Sequence, residues 1–499
     1  CLGVALLVGL VFLPALRFDF LEIDDMDYVA ENPSVQQGLT AHSVRWAFAS
    51  SHFHYWIPLT WLSFMADTDI QSPGPRGYHL TNVGLHVLNT VLLFCFLCSV
   101  TGNLWASILV ALLFGLHPAR IEAVAWIASR KDVLSGLFWM LGLLAYARYS
   151  KNPRVSNYAM VFLCMAVGLL AKSVLVVFPV ALLLLDVWPL GRWKDRHSFR
   201  SLLMEKIPLF ALALVFSVLT YFTHEHDGTA RIAPATAGLV RLLQVPLNYT
   251  HYLAHTFRPT DLAFTYPLAR QIPMIPVLLA VALLILLTVA ILFAGRRNPA
   301  LAVGWLWFVG TLTPMVGWVR VGNTDIADRF LYIPSIGLFI ALVWGAGKYL
   351  SRARYAFELK WGLGIGIVLA CAVLTCSQIG TWHNTESLAR RALETTRNNF
   401  VAWNTLGKAM ERQGRIEEAA QCYEKSLAIM PKFTQTHVNM ANVLASRRDY
   451  SEACKHLEFV LDLDPANARA RSNYGSLLFM AGEKDRGIAE LRRAVADQP

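Results

Sequence analysis

Two adjacent aspartates near the start of the chain are the strongest candidates for catalysis. Asp24 and Asp25 follow the first apolar run, and further acids share the same short stretch: Asp19, Glu22, Asp27 and Glu31. Crowded carboxylates raise one another's pKa, so such a cluster could supply a general base near neutral pH or bind a cation. A solvated acidic loop without chemistry is an equally weighted alternative for this feature alone.

Basic residues stand at the edges of several apolar runs. A cation in that position is costly and usually functional, and Lys and Arg are natural partners of phosphate. We interpret four of these basic residues as ligands for the phosphate group of a donor substrate, because they are positively charged and are predicted to lie on the same side of a membrane: Arg130, Lys131, Lys172 and Arg329. His117 and Glu122 are interpreted as residues that support them. Snorkelling of Arg130 and Lys131 is the alternative. Asp325 and Asp328 are candidate ion-pair partners of Arg329.

The sequence does not assign a single role to the tryptophans near residues 46–61 or to the HEHD run. Trp46, Trp56 and Trp61 could anchor a helix at the headgroup level or form a sugar-stacking surface. The run HEHD, 224–227, could bind a metal, but a polar loop is favoured. We therefore assign no metal ligands and no certain cofactor, while a divalent metal stays possible.

The composition places these residues in a membrane protein. Of 499 residues, 55% are hydrophobic and 16% charged, outside the usual range of soluble domains. Apolar runs long enough for the hydrocarbon layer predict about 11 spans. They lie near 1–16, 78–100, 104–117, 132–149, 156–171, 173–188, 207–222, 273–294, 300–318, 330–348 and 361–379. The amphipathic stretch 237–256 is interpreted as an interfacial or re-entrant helix.

The distribution of basic residues predicts the topology. The net charge of +10 comes from short clusters between apolar runs, a pattern typical of membrane topology, so we expect no nucleic-acid partner. The cytoplasmic loops would hold Arg148, Lys151, Arg154, Arg192, Lys194, Arg196, Arg200, Lys206, Arg296, Arg297, Lys348, Arg352, Arg354 and Lys360. The segment 17–77 is then the first outer loop, and the polar tail is outside as well.

The tail is a repeat array. Pro431, Pro465 and Pro499 recur at a spacing of 34 residues, and small residues recur with the same period, which is the tetratricopeptide signature. Repeats are predicted at 400–432, 433–466 and 467–499, after a half unit at 384–397. The asparagines Asn439, Asn442 and Asn473 form a partial ladder that could bind an acceptor peptide. We expect residues before Cys1, and the array could continue past Pro499.

Several motifs together carry a resemblance. The segments are IDDMDYVAENPSVQQGLT, WIPLTWLSFMAD, YHLTNVGLHVLNT, LHPARIEAVAWIASRKDVLSGLFW, LLAKSVLVVFPVALLLLDVWPLG, DLAFTYP and ADRFLYIPSIG. In this order they resemble bacterial relatives of the transmembrane and tetratricopeptide-repeat O-mannosyltransferases, which belong to the type C glycosyltransferases. The resemblance covers essentially the whole chain. It carries the paired acids of the first outer loop onto Asp24 and Asp25, one of which would be the base.

The resemblance implies an all-α protein with two domains. A polytopic glycosyltransferase domain, 1–380, would precede a tetratricopeptide-repeat α-solenoid, 381–499. The implied reaction is inverting transfer of a hexose, most simply mannose, from a polyprenyl phosphate to Ser or Thr of an exported protein. The site and the repeats would face outward from a bacterial inner membrane, and the repeats would present the acceptor. The alternatives are a membrane-anchored scaffold without catalysis and, less favoured, a transporter.

Overall fold

The computed structural model describes residues 1–50, 56–70, 74–226, 237–267, 272–317 and 326–497. Most of these residues lie in helices, and no strand occurs among them. The chain divides into two compact units, one formed by Cys1–Phe264 and Leu268–Asn384, the other by Thr265–Pro267 and Thr385–Pro499. The division lies four residues after the predicted boundary at 380/381.

The first unit contains sixteen helices among the described residues. They are α1 Leu2–Phe12, α2 Pro33–Gln36, α3 Ala41–Ala49, α4 Pro58–Ile70, α5 Pro75–Thr101, α6 Leu104–Leu116, α7 Ile121–Ala125, α8 Arg130–Lys151, α9 Val155–Ala171, α10 Phe178–Val187, α11 Arg196–His226, α12 Ala237–Phe257, α13 Met274–Gly295, α14 Pro299–Leu312, α15 Pro334–Leu350 and α16 Ala356–Ile379. Several of these helices begin with proline. Proline lacks a backbone N–H, and an N–H at the first helical position would have no partner within the helix.

Four helices are long and apolar enough to cross a bilayer: Pro75–Thr101, Arg196–Thr223, Met274–Gly295 and Ala356–Trp382. A bent pair, Leu104–Leu116 with Pro118–Ala125, would make a fifth. Only 11% of the most apolar 18-residue stretch of α13 is buried inside the protein, as expected of a helix that faces lipid. The unit is thus a helical membrane domain, as predicted. Each of the predicted spans falls on a helix, but the count of eleven stays a prediction.

The segment between the predicted spans 104–117 and 132–149 is buried and is not a solvent-exposed loop. Residues 113–136 are all buried, and those between the end of α6 and the start of α8 form a series of short turns. A 3-10 turn at Pro118–Arg120 leads into α7, and another at Ile127–Ser129 leads into α8. Because short turns change direction every few residues, they direct consecutive side chains into different parts of the interior. This segment supplies most of the candidate site.

The second unit is a helical repeat array. Its helices are α17 Thr385–Thr395, α18 Phe400–Arg412, α19 Ile416–Ile429, α20 Thr434–Ser446, α21 Tyr450–Leu463, α22 Ala468–Met480 and α23 Lys484–Asp497. Small residues allow the paired helices to approach: a Cβ on Gly475 would lie 2.9 Å from the carbonyl oxygen of Gly487. The helical hairpins predicted from the 34-residue period are therefore present, and α17 forms the half unit.

Candidate functional site

Asp25 joins the loop that follows α1 to the buried turns between α6 and α8. Its Oδ2 accepts the backbone N–H of Leu21 at 3.0 Å, and its Oδ1 accepts the backbone N–H of Ala128 at 2.8 Å. The side chain is fully buried, and this burial raises its pKa to about 7, against the opposing effect of the two N–H groups. Since both carboxylate oxygens are engaged with backbone, Asp25 is placed to hold the loop.

Asp24 has a different environment from its neighbour. It is only partly buried, and its backbone carbonyl accepts the N–H of Tyr28 at 2.8 Å as the π-helical turn Met26–Ala30 begins. Lys131 lies over the ring of Tyr28, with Nζ 4.9 Å from the ring centroid, and within electrostatic range of Asp24. Both aspartates predicted from sequence therefore lie close to the start of α8 and the turn before it. Asp25 is fully buried there, whereas Asp24 is only partly buried.

Lys131 belongs to a group of three cations that come from three separate segments. The charges of Lys172 and Arg329 both act on Lys131. Two aromatic rings connect them: Phe330 lies 5.3 Å from Lys172 Nζ and 5.1 Å from the Arg329 guanidinium carbon, measured to the ring centroid. Trp126 lies 5.0 Å from Arg329 and 5.9 Å from Lys131 by the same measure. Three cations predicted from sequence thus form one cluster.

Each cation of the cluster also has a protein acceptor. Lys172 forms an ion pair with Asp132 at 2.6 Å, and Lys131 donates to the carbonyl oxygen of Ala128 at 2.9 Å. Both side chains of the Lys172–Asp132 pair are largely buried. Such contacts fix the positions of the ammonium groups before any ligand binds, which is the arrangement that electrostatic catalysis requires.

Arg329 pairs with Glu122, a partner that the sequence did not predict. The guanidinium forms an ion pair with Glu122 Oε1, and the backbone N–H of Arg329 donates to Oε2 at 2.8 Å. Of the two partners expected from sequence, Asp325 lies outside the described residues, and Asp328 accepts a hydrogen bond from His255. Glu122, which was predicted to support the cations, therefore orients Arg329 by contacting both its backbone and its guanidinium.

Arg130 points away from the cluster. It is fully buried and donates to Asp67 at 2.7 Å and to the carbonyl oxygen of Tyr78 at 2.9 Å, with further contacts to Asn82 and Ser63. Because these contacts already engage its guanidinium in the interior, we leave Arg130 out of the donor site proposed below, and its predicted role as a phosphate ligand stays a prediction.

His117 also has interior partners on both ring nitrogens. Nε2 lies 3.0 Å from the carbonyl oxygen of Thr256, and Nδ1 accepts the backbone N–H of Ala119 at 3.2 Å. These contacts place His117 as a link between the turn after α6 and the end of α12. Its predicted supporting role would then be structural.

The aromatic residues of the first loop separate into two groups. Trp61 is fully buried and packs against Tyr28 and Trp46 at ring-centroid distances of 5.0 and 5.3 Å. Trp56 is partly buried, and its indole N–H donates to the carbonyl oxygen of Phe48 at 2.8 Å. Trp61 is therefore a core residue and contributes neither a headgroup anchor nor an exposed sugar-stacking surface.

A small cavity opens beside the Glu122–Arg329 pair. Its wall includes Glu122, Asp328, Ala263 and Trp382. The two carboxyl groups make part of this wall polar.

A cluster that the sequence interpretation missed lies next to this cavity. The cluster consists of His251, His255 and Asp328. Each residue contributes one atom that could bind a metal ion, and these three atoms lie within 4.8 Å of one another. The spacing of the two histidines on α12, one turn apart, is a signal that the sequence does contain. The sequence interpretation considered the HEHD run instead, whose side chains lie outside the described residues.

In the repeat unit, the predicted ladder asparagines differ in exposure. Asn439 is buried, and its Nδ2 donates to Asn404 Oδ1 at 2.9 Å, so it connects two neighbouring repeats. Asn442 is exposed, and Asn473 is partly buried. Peptide binding by this ladder stays a prediction, with Asn442 the most accessible of the three.

Comparison with known proteins supports both units. Tetratricopeptide-repeat family models match residues 400–433 and 438–499. Over most of its length the chain is similar to proteins named protein O-mannosyl-transferases. TMTC3 of Homo sapiens is 25% identical over 444 residues, covering 81% of this chain and 47% of that protein. TMTC1 of Homo sapiens is 26% identical, covering 90% and 57%, and TMTC4 of Mus musculus is 26% identical, covering 81% and 63%.

The chain spans about half the length of the curated relatives it matches. The resemblance inferred from the motif order is nevertheless confirmed, because the matched regions include both the membrane helices and part of the array. The repeats themselves are confirmed by the family models as well as by the paired helices of the second unit.

Proposed function

We propose that this protein is a membrane glycosyltransferase that transfers a hexose, mannose in the simplest case, from a polyprenyl phosphate to Ser or Thr hydroxyls of proteins. The similarity to protein O-mannosyl-transferases supports transfer of a sugar to protein. The lipid-linked donor, the inverting mechanism, the bacterial inner membrane and the outward-facing site are parts of the proposal. The repeats would present the exported acceptor protein.

The single observation that carries the proposal is the cluster of Lys131, Lys172 and Arg329, with Asp24 within electrostatic range of Lys131. Transfer from a sugar phosphate needs a base for the acceptor hydroxyl and positive charge for the departing phosphate. An acid that is partly exposed next to three preorganised cations provides both. A monophosphate leaving group needs less charge neutralisation than a diphosphate, and transfer measured in the presence of a chelator tests whether a divalent metal takes part.

In the proposed reaction, Asp24 removes the proton from the acceptor hydroxyl as its oxygen attacks the anomeric carbon. The bond between that carbon and the phosphate oxygen breaks, and the phosphate leaves with the electron pair toward Lys131, Lys172 and Arg329. Attack opposite the leaving group inverts the anomeric configuration. Asp25 acts only by holding the loop, through Leu21 and Ala128, so that Asp24 faces the cations.

The test uses the purified full chain with radiolabelled polyprenyl-phosphate mannose and candidate acceptor proteins. We expect transfer by the wild type, at least a hundredfold less transfer by Asp24→Asn, and near-normal transfer by Asp27→Asn. Asp27 is the matched control because it is an exposed acid of the same loop. Transfer by Asp24→Asn at the wild-type rate would reject the proposed base.

A further inference from the structure

Three side chains with metal-binding atoms meet next to the cavity described above. His251 and His255 lie one turn apart on α12, so both face the same direction. Asp328 comes from a different segment, at the start of the 3-10 turn Asp328–Leu331. One potential ligand atom from each of the three lies within 4.8 Å of the other two.

The contacts of this cluster exceed what an ion pair needs. His255 Nδ1 lies 2.9 Å from Asp328 Oδ1, and the two side chains are 11% and 4% exposed. An ion pair with Asp328 needs only one histidine. A second one is nevertheless present, because the ring centroid of His251 lies 3.8 Å from that of His255. The planes of the two rings are tilted by 40° to each other. Imidazole nitrogens beside a carboxylate form a set of ligand atoms suited to a cation.

We infer that His251, His255 and Asp328 form a binding site for a divalent transition-metal cation of the zinc class. Two nitrogen ligands and one oxygen ligand match the three-residue sets of zinc sites, which leave one position of the tetrahedron open. Mg²⁺ and Ca²⁺ prefer oxygen ligands throughout and fit this set poorly. Ligand atoms around zinc lie about 3.3 Å apart, so small side-chain rotations bring the three atoms into place.

A cation in this position would act on the neighbouring residue Arg329. Asp328 precedes it directly, and the backbone N–H of Arg329 is already fixed by Glu122. Joining Asp328 to α12 would fix the start of this turn from its other side. The cation is therefore a positioning device for the segment that carries Arg329, and its presence does not depend on the proposed glycosyl transfer.

The test measures metal content directly. The full chain is purified in detergent with an affinity tag free of histidine, and zinc is counted by mass spectrometry before and after chelation. Chelated protein is then loaded with Co²⁺, whose visible absorption reports tetrahedral nitrogen and oxygen ligands. We expect stoichiometric zinc, and a cobalt band that is lost in His251→Gln and in Asp328→Asn. His42→Gln, a change at an exposed histidine outside the cluster, should retain the band.

Two results would overturn the site. One is wild-type protein without zinc that also gives no cobalt band after loading, and the other is an unchanged band in both cluster variants. If the variants fail to fold, as judged by circular dichroism, the chelated wild type decides. Its melting temperature should rise by several degrees with Zn²⁺ and stay unchanged with Mg²⁺, whereas no response to Zn²⁺ would reject the site.

Discussion

The backbone N–H of Ala128 donates a 2.8 Å hydrogen bond to the carboxylate of Asp25, across 103 residues of sequence. This contact links the acidic loop after the first helix to the turn that leads directly into α8. Because the donor is a backbone group, the link persists whatever side chain stands at position 128. It brings the paired aspartates close to Lys131, which is the geometric condition for a base and a phosphate ligand to act on one substrate.

Removing either aspartate should have different consequences. Asp25→Ala leaves two buried N–H groups without their acceptor, at a cost of about 1–3 kcal/mol for each. We therefore expect a lower melting temperature together with reduced transfer. Asp24→Ala removes a partly exposed acid, and should abolish transfer with a change in melting temperature of less than about 2 °C. Thermal unfolding of the detergent-solubilised chain, measured beside transfer, separates the two; equal destabilisation by both changes would contradict this assignment.

The raised pKa of Asp25 predicts a pH dependence of stability. Burial raises this pKa from 3.8 to about 7, so the folded protein holds a proton that the unfolded chain has already lost. The free energy of unfolding should therefore fall as pH rises from 4 to 7, and level off above that range. Asp25→Asn cannot ionise and should lack this component. The measurement is the melting temperature of both proteins from pH 5 to pH 8; parallel curves would show that Asp25 does not titrate in this way.

The sequence predicted the types of secondary-structure element better than it predicted which side chains contact each other. The apolar runs and the 34-residue period follow directly from local composition, so the helices and the array could be inferred. The pairing of Arg329 with Glu122 could not, because 207 residues separate them and only the packed fold brings them together. For the same reason Arg130, adjacent to Lys131 in sequence, could not be recognised as an interior residue bound to Asp67.

Arg130 should be required for stability rather than for donor binding. Arg130→Met removes the partner of the buried Asp67 and leaves that carboxylate uncompensated, which typically costs about 3–5 kcal/mol. The double variant Arg130→Met with Asp67→Leu removes both charges and should recover much of the lost stability. Unfolding in denaturant measures the effect. A single variant as stable as the wild type, but with weaker donor binding, would return Arg130 to the phosphate site.

Lys172 should affect the use of donor more than turnover. Lys172→Gln keeps a hydrogen-bond donor near Asp132 but removes the positive charge that faces the cluster. We expect the KM for the polyprenyl-phosphate donor to rise about tenfold, equivalent to about 1.4 kcal/mol of binding, with a smaller change in kcat. Lys172→Arg restores the charge and should recover most of the affinity. Initial rates over a range of donor concentrations test this; a fall in kcat alone would place Lys172 outside the ground-state donor site.

The array asparagines should separate into a structural and a binding residue. Asn439 is buried against Asn404 between two repeats, so Asn439→Ala should lower the melting temperature of the repeat unit, because Asn404 Oδ1 loses one of the two hydrogen bonds that it accepts. Asn442 is exposed on the same helix, α20, so Asn442→Ala should leave stability unchanged and weaken capture of the acceptor protein. Surface-immobilised full chain, probed with an acceptor that wild type modifies, gives the binding constant. If Asn442→Ala binds as tightly as wild type, acceptor recognition lies elsewhere on the array.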